Sequence, residues 1–136
     1  MLNTNCVGKK YKVSGISIEL GDLEKMASAL GDAVNAITPD GELPEYMAAL
    51  YALRPSAEAV FSDSELGIDM LHLVHGEQEF EFFSPVYLHD LLTVETEIEE
   101  IYSKRSLEFL ITRATVYKGS TAVCTCRSTF VIRSAQ

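Results

Sequence analysis

From Leu71 almost to the end of the chain, apolar and polar residues alternate with a period of two. Successive side chains of a strand point to opposite faces, so this pattern commits half the molecule to strands with one buried and one wet face. His72–Phe83, Leu92–Tyr102, Leu107–Lys118 and Thr121–Arg133 read as consecutive strands. In the second, Val94, Thr96 and Ile98 share one face and Glu95, Glu97 and Glu99 the other. In the last, Ala122, Cys124, Cys126, Ser128, Phe130 and Ile132 stand opposite Thr125, Arg127 and Arg133. The connections Lys104-Arg105-Ser106 and Lys118-Gly119-Ser120 are too short for a crossover, which favours antiparallel neighbours.

The first half reads differently. Lys10 to Ile18 alternates loosely through Tyr11, Val13, Ile16 and Ile18 and predicts a first strand, weakened by Gly15. Asp22 can accept from the free amides of a helix start, Leu23, Met26, Ala27 and Leu30 fall at helical spacing, and Gly31 ends the run. A second helix opens at Pro44, with Tyr46, Met47, Leu50 and Leu53 as its stripe. Ala48, Ala49 and Ala52 lie between them, small enough to let that helix approach a sheet closely. Pro55 should interrupt it, leaving 56–61 as a kinked continuation or a separate turn. The expectation is one α+β domain over 1–136, a curved antiparallel sheet of about five strands wrapped around a central helix. Its long edge strand calls for cover by a second copy or a homologous partner.

A formal net charge of −9 disfavours nucleic acid and anionic membranes as partners, since both select clustered cations. Local basic side chains remain candidates for a charged ligand: Lys104, Arg105, Arg113, Arg127 and Arg133. With no apolar run of bilayer length and no signal-like start, a cytoplasmic location is expected. Cys124 and Cys126 point the same way in a strand, but no second ligand pair stands at metal-like spacing. Two small buried residues are expected there, and no metal site.

The run from His75 through Gly76, Glu77 and Gln78 to Phe83, then Pro85-Val86, then Asp90-Leu91-Leu92-Thr93-Val94, resembles the core of the MaoC-like dehydratases. More narrowly it is similar to their N-terminal, FAS1-like half-domain, and Ser128 to Arg133 is similar to that subfamily's closing strand. The resemblance implies a hot-dog fold acting on acyl thioesters, hydrating trans-2-enoyl groups to 3-hydroxyacyl groups or the reverse. The substrate then carries coenzyme A or the phosphopantetheine of acyl carrier protein, and the protein needs no cofactor of its own. Active members carry a Gly-Asp-x-Asn-Pro-apolar-His loop after the first helix, whose Asp and His orient and deprotonate water. Here the loop reads Gly31-Asp32-Ala33-Val34-Asn35-Ala36-Ile37-Thr38. Asp32 and, with one extra residue, Asn35 match that pattern, but Ala36 replaces the proline and Thr38 the histidine. Threonine is no base near neutral pH, so the loop is read as vestigial. The resemblance thus implies a non-catalytic subunit that completes a dimer with a MaoC-like catalytic partner and shapes the acyl pocket.

Individual residues have bland and sharp readings. His75 reads as a strand-start histidine bonded to backbone, with a general base as the alternative. Gly76 marks a bulge or a close approach. Gln78 falls with Val74, Phe80 and Phe82 and needs partners, either within the domain or on the partner's active-site loop. His89 stands where the family usually has a glycine, in a turn closed by Asp90. Met47 is a candidate for lining an acyl tunnel, and Arg113 and Arg127 for contacting phosphates of the carrier. Two rivals stay open. One is a self-sufficient homodimeric hydratase or thioesterase using Asp32 or a glutamate with His75 or His89. The other is a non-enzymatic acyl-thioester binding module.

Overall fold

The computed structural model describes residues 1–31 and 40–133. Strand β1 (Lys10–Ile16) leads into helix α1 (Leu20–Ala29). A helical segment then runs from a 3-10 turn at Glu45–Met47 through a π-helical stretch at Ala49–Leu53 into α2 (Arg54–Phe61). Four long strands follow: β2 (Leu73–Phe82), β3 (Leu92–Lys104), β4 (Leu107–Lys118) and β5 (Thr121–Arg133). They form one antiparallel sheet in the order β1-β3-β4-β5-β2, with β1 and β2 at the edges.

The alternating pattern works as expected on the inner face. Val94, Thr96 and Ile98 of β3, Ala114 and Val116 of β4, and Cys124, Cys126 and Phe130 of β5 are all buried. Met47, Ala48, Tyr51 and Ala52 of the helical segment are buried in the same cluster as Leu92, Val94, Val116 and Cys124. Ala48 and Ala52, with one-carbon side chains, let the helix backbone come down onto the strands, while Met47 and Tyr51 fill the space beside them. A second cluster joins Leu2, Cys6, Val60 and Leu66 to Ile98, Leu110, Phe130 and Ile132, closing the other end.

Pro55 does not break the helix. In a regular helix its ring would collide with the carbonyl four residues back. The Arg54 amide instead donates to the Ala49 carbonyl, a five-residue step that widens the turn just before the proline. Pro55 then occupies the first turn of α2, where its missing N–H leaves no intrahelical bond unmade. The continuation over 56–61 is therefore helical.

The Pro85–Asp90 turn is tied down by its own polar groups. Tyr87 donates its amide to Asp90 Oδ2 at 2.9 Å, and Asp90 Oδ1 lies 2.8 Å from Lys118 Nζ. His89 sits at φ 70°, the left-handed region where a glycine carries no steric cost. Its Nδ1 lies 2.6 Å from Glu19 Oε2, linking the turn to the start of α1.

Ala52 is fully buried between helix and sheet. Ala52→Leu is expected to force the two apart and lower stability by about 1–3 kcal/mol, read as a lower urea midpoint at unchanged slope.

Candidate functional site

Strand β2 carries the His75-Gly-Glu-Gln78 motif on an edge, and its geometry turns on Gly76. His75 pairs with Phe130 and Glu77 with Thr129, so Gly76 is an extra residue in β2, a bulge. A side chain there would come within 3.1 Å of Val131 Cγ2 and 3.3 Å of the Thr129 carbonyl oxygen, a tight fit that the neighbours would have to give way to by a few tenths of an ångström. The bulge reverses the alternation. Leu73 and His75 before it, and Gln78, Phe80 and Phe82 after it, all share the inner face through their partners Ile132, Phe130, Ser128, Cys126 and Cys124. Val74, expected on the side of Gln78, is thereby moved to the outer face, opposite Val131.

Gln78 has its partners inside the domain. Its Oε1 accepts from Ser128 Oγ at 2.8 Å, and its Nε2 donates to the Arg127 carbonyl at 3.2 Å and to Cys126 Sγ at 2.9 Å. The same Oε1 lies 2.9 Å from His75 Nε2, which also faces the Glu77 carbonyl at 3.1 Å. Two oxygen acceptors at Nε2 require that nitrogen to carry the proton, so in the neutral ring Nδ1 is the acceptor. The imidazole packs on Phe130, with ring centroids 5.1 Å apart, and stays exposed at the sheet edge. The result is a chain of polar groups, His75–Gln78–Ser128/Cys126, on the concave face, with buried Thr112 of β4 opposite Ser128. Ser128 was not singled out from the sequence; only the strand register brings it to Gln78.

The thiols beside this chain are inert. Burial pushes the Cys124 thiol up to about 12, with Cys126 and Glu45 adding to it. Cys126 is also raised by burial, against the hydrogen bonds from Ser128 and Gln78. Neither forms the thiolate that nucleophilic attack or metal ligation needs near neutrality. Among the described residues, no group of three or more His, Cys, Asp or Glu converges as a metal site.

The remaining candidates fall in different places. Met47 is completely buried in the helix–sheet core. A cavity of about 240 Å³ lies beyond it, at the start of the helical segment, bounded by Glu42, Leu43, Tyr51, Phe82, Ser84 and Val86. The Tyr51 phenol is held neutral, well above its ordinary range, by burial first and then by Cys124 and Glu45. Arg113 and Arg127 are not near this region. They face each other on the outer side of the sheet, where Glu99, the extra residue of a second bulge in β3, accepts from Arg113 Nε at 3.2 Å and Arg127 Nε at 3.4 Å. Asp32, Asn35 and Thr38 lie outside the described residues. His72 pairs with Asp69 at 2.6 Å, at the entry to β2.

A five-stranded antiparallel sheet curled around one helical segment defines a hot-dog domain. The family model for the FAS1-like dehydratase domain region matches residues 5–126. A UPF0336 protein of Saccharopolyspora erythraea is 34% identical over 97 residues, 70% of this chain and 61% of that protein. Among solved structures, a C-terminally truncated HadBC (3R-hydroxyacyl-ACP dehydratase) complex of Mycobacterium tuberculosis superposes with a TM-score of 0.78 at 15% identity, covering 96% of this chain and 99% of that chain. HtdX of the same organism superposes at 0.75 and 17% identity, over 92% of this chain but only 51% of that one. This chain therefore spans about half of HtdX and less than two thirds of the Saccharopolyspora protein. The chain belongs to the FAS1-like dehydratase domain family.

Two outcomes test the site as described. Gly76→Ala places a methyl group against the Thr129 carbonyl, which cannot swing aside, and is expected to cost about 1–3 kcal/mol in denaturant melts. All three cysteines are buried, so a disulfide-exchange reagent should label none of them quickly in the native protein and all of them in urea.

Proposed function

We propose that this chain is the base-less subunit of an enoyl-thioester hydratase, or of the 3-hydroxyacyl-thioester dehydratase that runs the reverse reaction. The observation that carries the reading is Thr38, standing where the family's loop has the histidine that deprotonates water. A hydroxyl of that kind cannot accept a proton near neutral pH, whereas hydration requires a base within hydrogen-bond reach of the attacking water.

The β2 edge supports a partner. Among the described residues no strand lies beyond its outward backbone groups, and Met70, Leu71, Phe80 and Phe83 are exposed at or beside it. A free edge with large apolar side chains is covered in a working protein. The HadBC chain that superposes on this one comes from a complex. A MaoC-like partner pairing there would bring its own Asp and His to the concave side, next to His75 and Gln78. The partner's histidine takes a proton from water, the oxygen adds to C3, and a proton is delivered to C2 on the same face. Negative charge gathers on the thioester oxygen during addition, so donors must point at it.

In this reading the chain contributes a wall. His75 and Gln78, held rigid by Ser128 and the β5 backbone, mark the partner-facing rim, and the helical segment with Met47 and Tyr51 backs the acyl side. Arg113 and Arg127, which donate to Glu99 on the outer face, stand away from this wall. Coenzyme A or acyl carrier protein arrives with the substrate, and the chain holds no cofactor of its own.

Purified alone, the chain should hydrate crotonyl-coenzyme A no faster than buffer. Co-expressed with a MaoC-like protein bearing an intact Gly-Asp-x-Asn-Pro-apolar-His loop, it should co-purify and the pair should turn over. Efficient turnover by the single chain, abolished by His75→Ala or Asp32→Asn, would establish the self-sufficient enzyme instead. Tight binding of crotonyl-coenzyme A with no rate in either setting would leave a binding module.

A further inference from the structure

The helical segments cover only the concave side of the sheet; on the convex side the strand register lines up side chains in rows. Val74, Val131, Phe109 and Tyr102 stand directly opposite one another across β2, β5, β4 and β3. The Tyr102 and Phe109 rings stack at 4.6 Å with 8° between their planes, while Val74 is 64% exposed and Tyr102 38%. Beside this row a hollow of about 530 Å³ opens over Gly76, Ile111 and Thr129, deepened by the missing side chain of the glycine. An apolar band across four strands, with a hollow next to it, is unusual for a face that meets only water.

The charges on either side of the band are what identify its occupant. One step along the strands lie Arg133, Leu107 and Lys104; one step the other way lie Glu77, Thr129, Ile111 and Glu100. Cations therefore flank the band on one side and anions on the other, at equal distance from it. A two-fold axis running along the band carries each row onto its opposite: Lys104 of one molecule comes over Glu100 of the other, and Arg133 over Thr129 beside Glu77. The apolar residues meet their own copies. Self-complementarity of this kind is the signature of an isologous contact. Sheets stacked face to face lie about 10 Å apart and cross at about 30°, offsets that lysine and glutamate side chains span.

We propose that the convex face receives a second copy of this chain, back to back, through the Val74–Val131–Phe109–Tyr102 band. This contact uses side chains above the sheet, whereas a β2 partner uses the backbone edge, so both can be occupied at once and neither depends on the other.

Light scattering of the full chain, with and without variants, tests it. Val131→Lys and Lys104→Glu should each halve the molar mass and weaken self-association about tenfold or more. The double variant Lys104→Glu/Glu100→Lys should restore the wild-type mass, because the swapped charges again meet their opposites. That rescue also shows that lost association in the single variant is not lost folding. A wild-type mass that neither single variant changes overturns the proposal, as does a double variant that stays dissociated.

Discussion

The whole arrangement depends on the helical segment from Glu45 to Phe61 lying tightly against the concave sheet. Met47, Ala48, Tyr51 and Ala52 all vanish from solvent against β3, β4 and β5. The alanines matter as much as the large residues: they set the helix–sheet spacing, and the large side chains fill what that spacing leaves. The proline that should have ended the segment is accommodated by a wider turn over Ala49–Leu53, so the helix continues past it to Phe61. Curvature of the sheet, burial of its inner alternation and the orientation of the helix start near Phe82 and Tyr51 all follow from that one contact.

Two extra residues then decide what each face of the sheet presents. The bulge at Gly76 turns His75 and Gln78 onto the same concave face, where a regular strand would have separated them. The bulge at Glu99 places a carboxylate between two guanidiniums that would otherwise repel across β4 and β5. Each bulge is a single inserted residue with a long reach, because parity along a strand is reversed from that point onward.

This explains which parts of the fold were legible in the residues. β4 and β5 begin and end where their alternation does, at Leu107–Lys118 and Thr121–Arg133, because the period-two signal is local. β3 runs to Lys104, two residues past the Tyr102 where the pattern weakens, since a hairpin partner rather than its own composition extends it. Gly76 hinted at its bulge, but the displacement of Val74 from the side of Gln78 follows only from the pairing with β5. Likewise Ser128 is an ordinary inward polar residue until register sets it against Gln78. Arg113 and Arg127 could be assigned to the wet face by alternation, yet the acid that holds them lies in another strand and is brought there by an insertion. Long-range pairing, not composition, carries the missing information.

Among the described residues, the contacts that hold the fold are the helix–sheet cluster and the inner rows of β3, β4 and β5. The polar chain from His75 to Ser128 is likewise satisfied within the domain, so it remains ordered whatever stands across the edge.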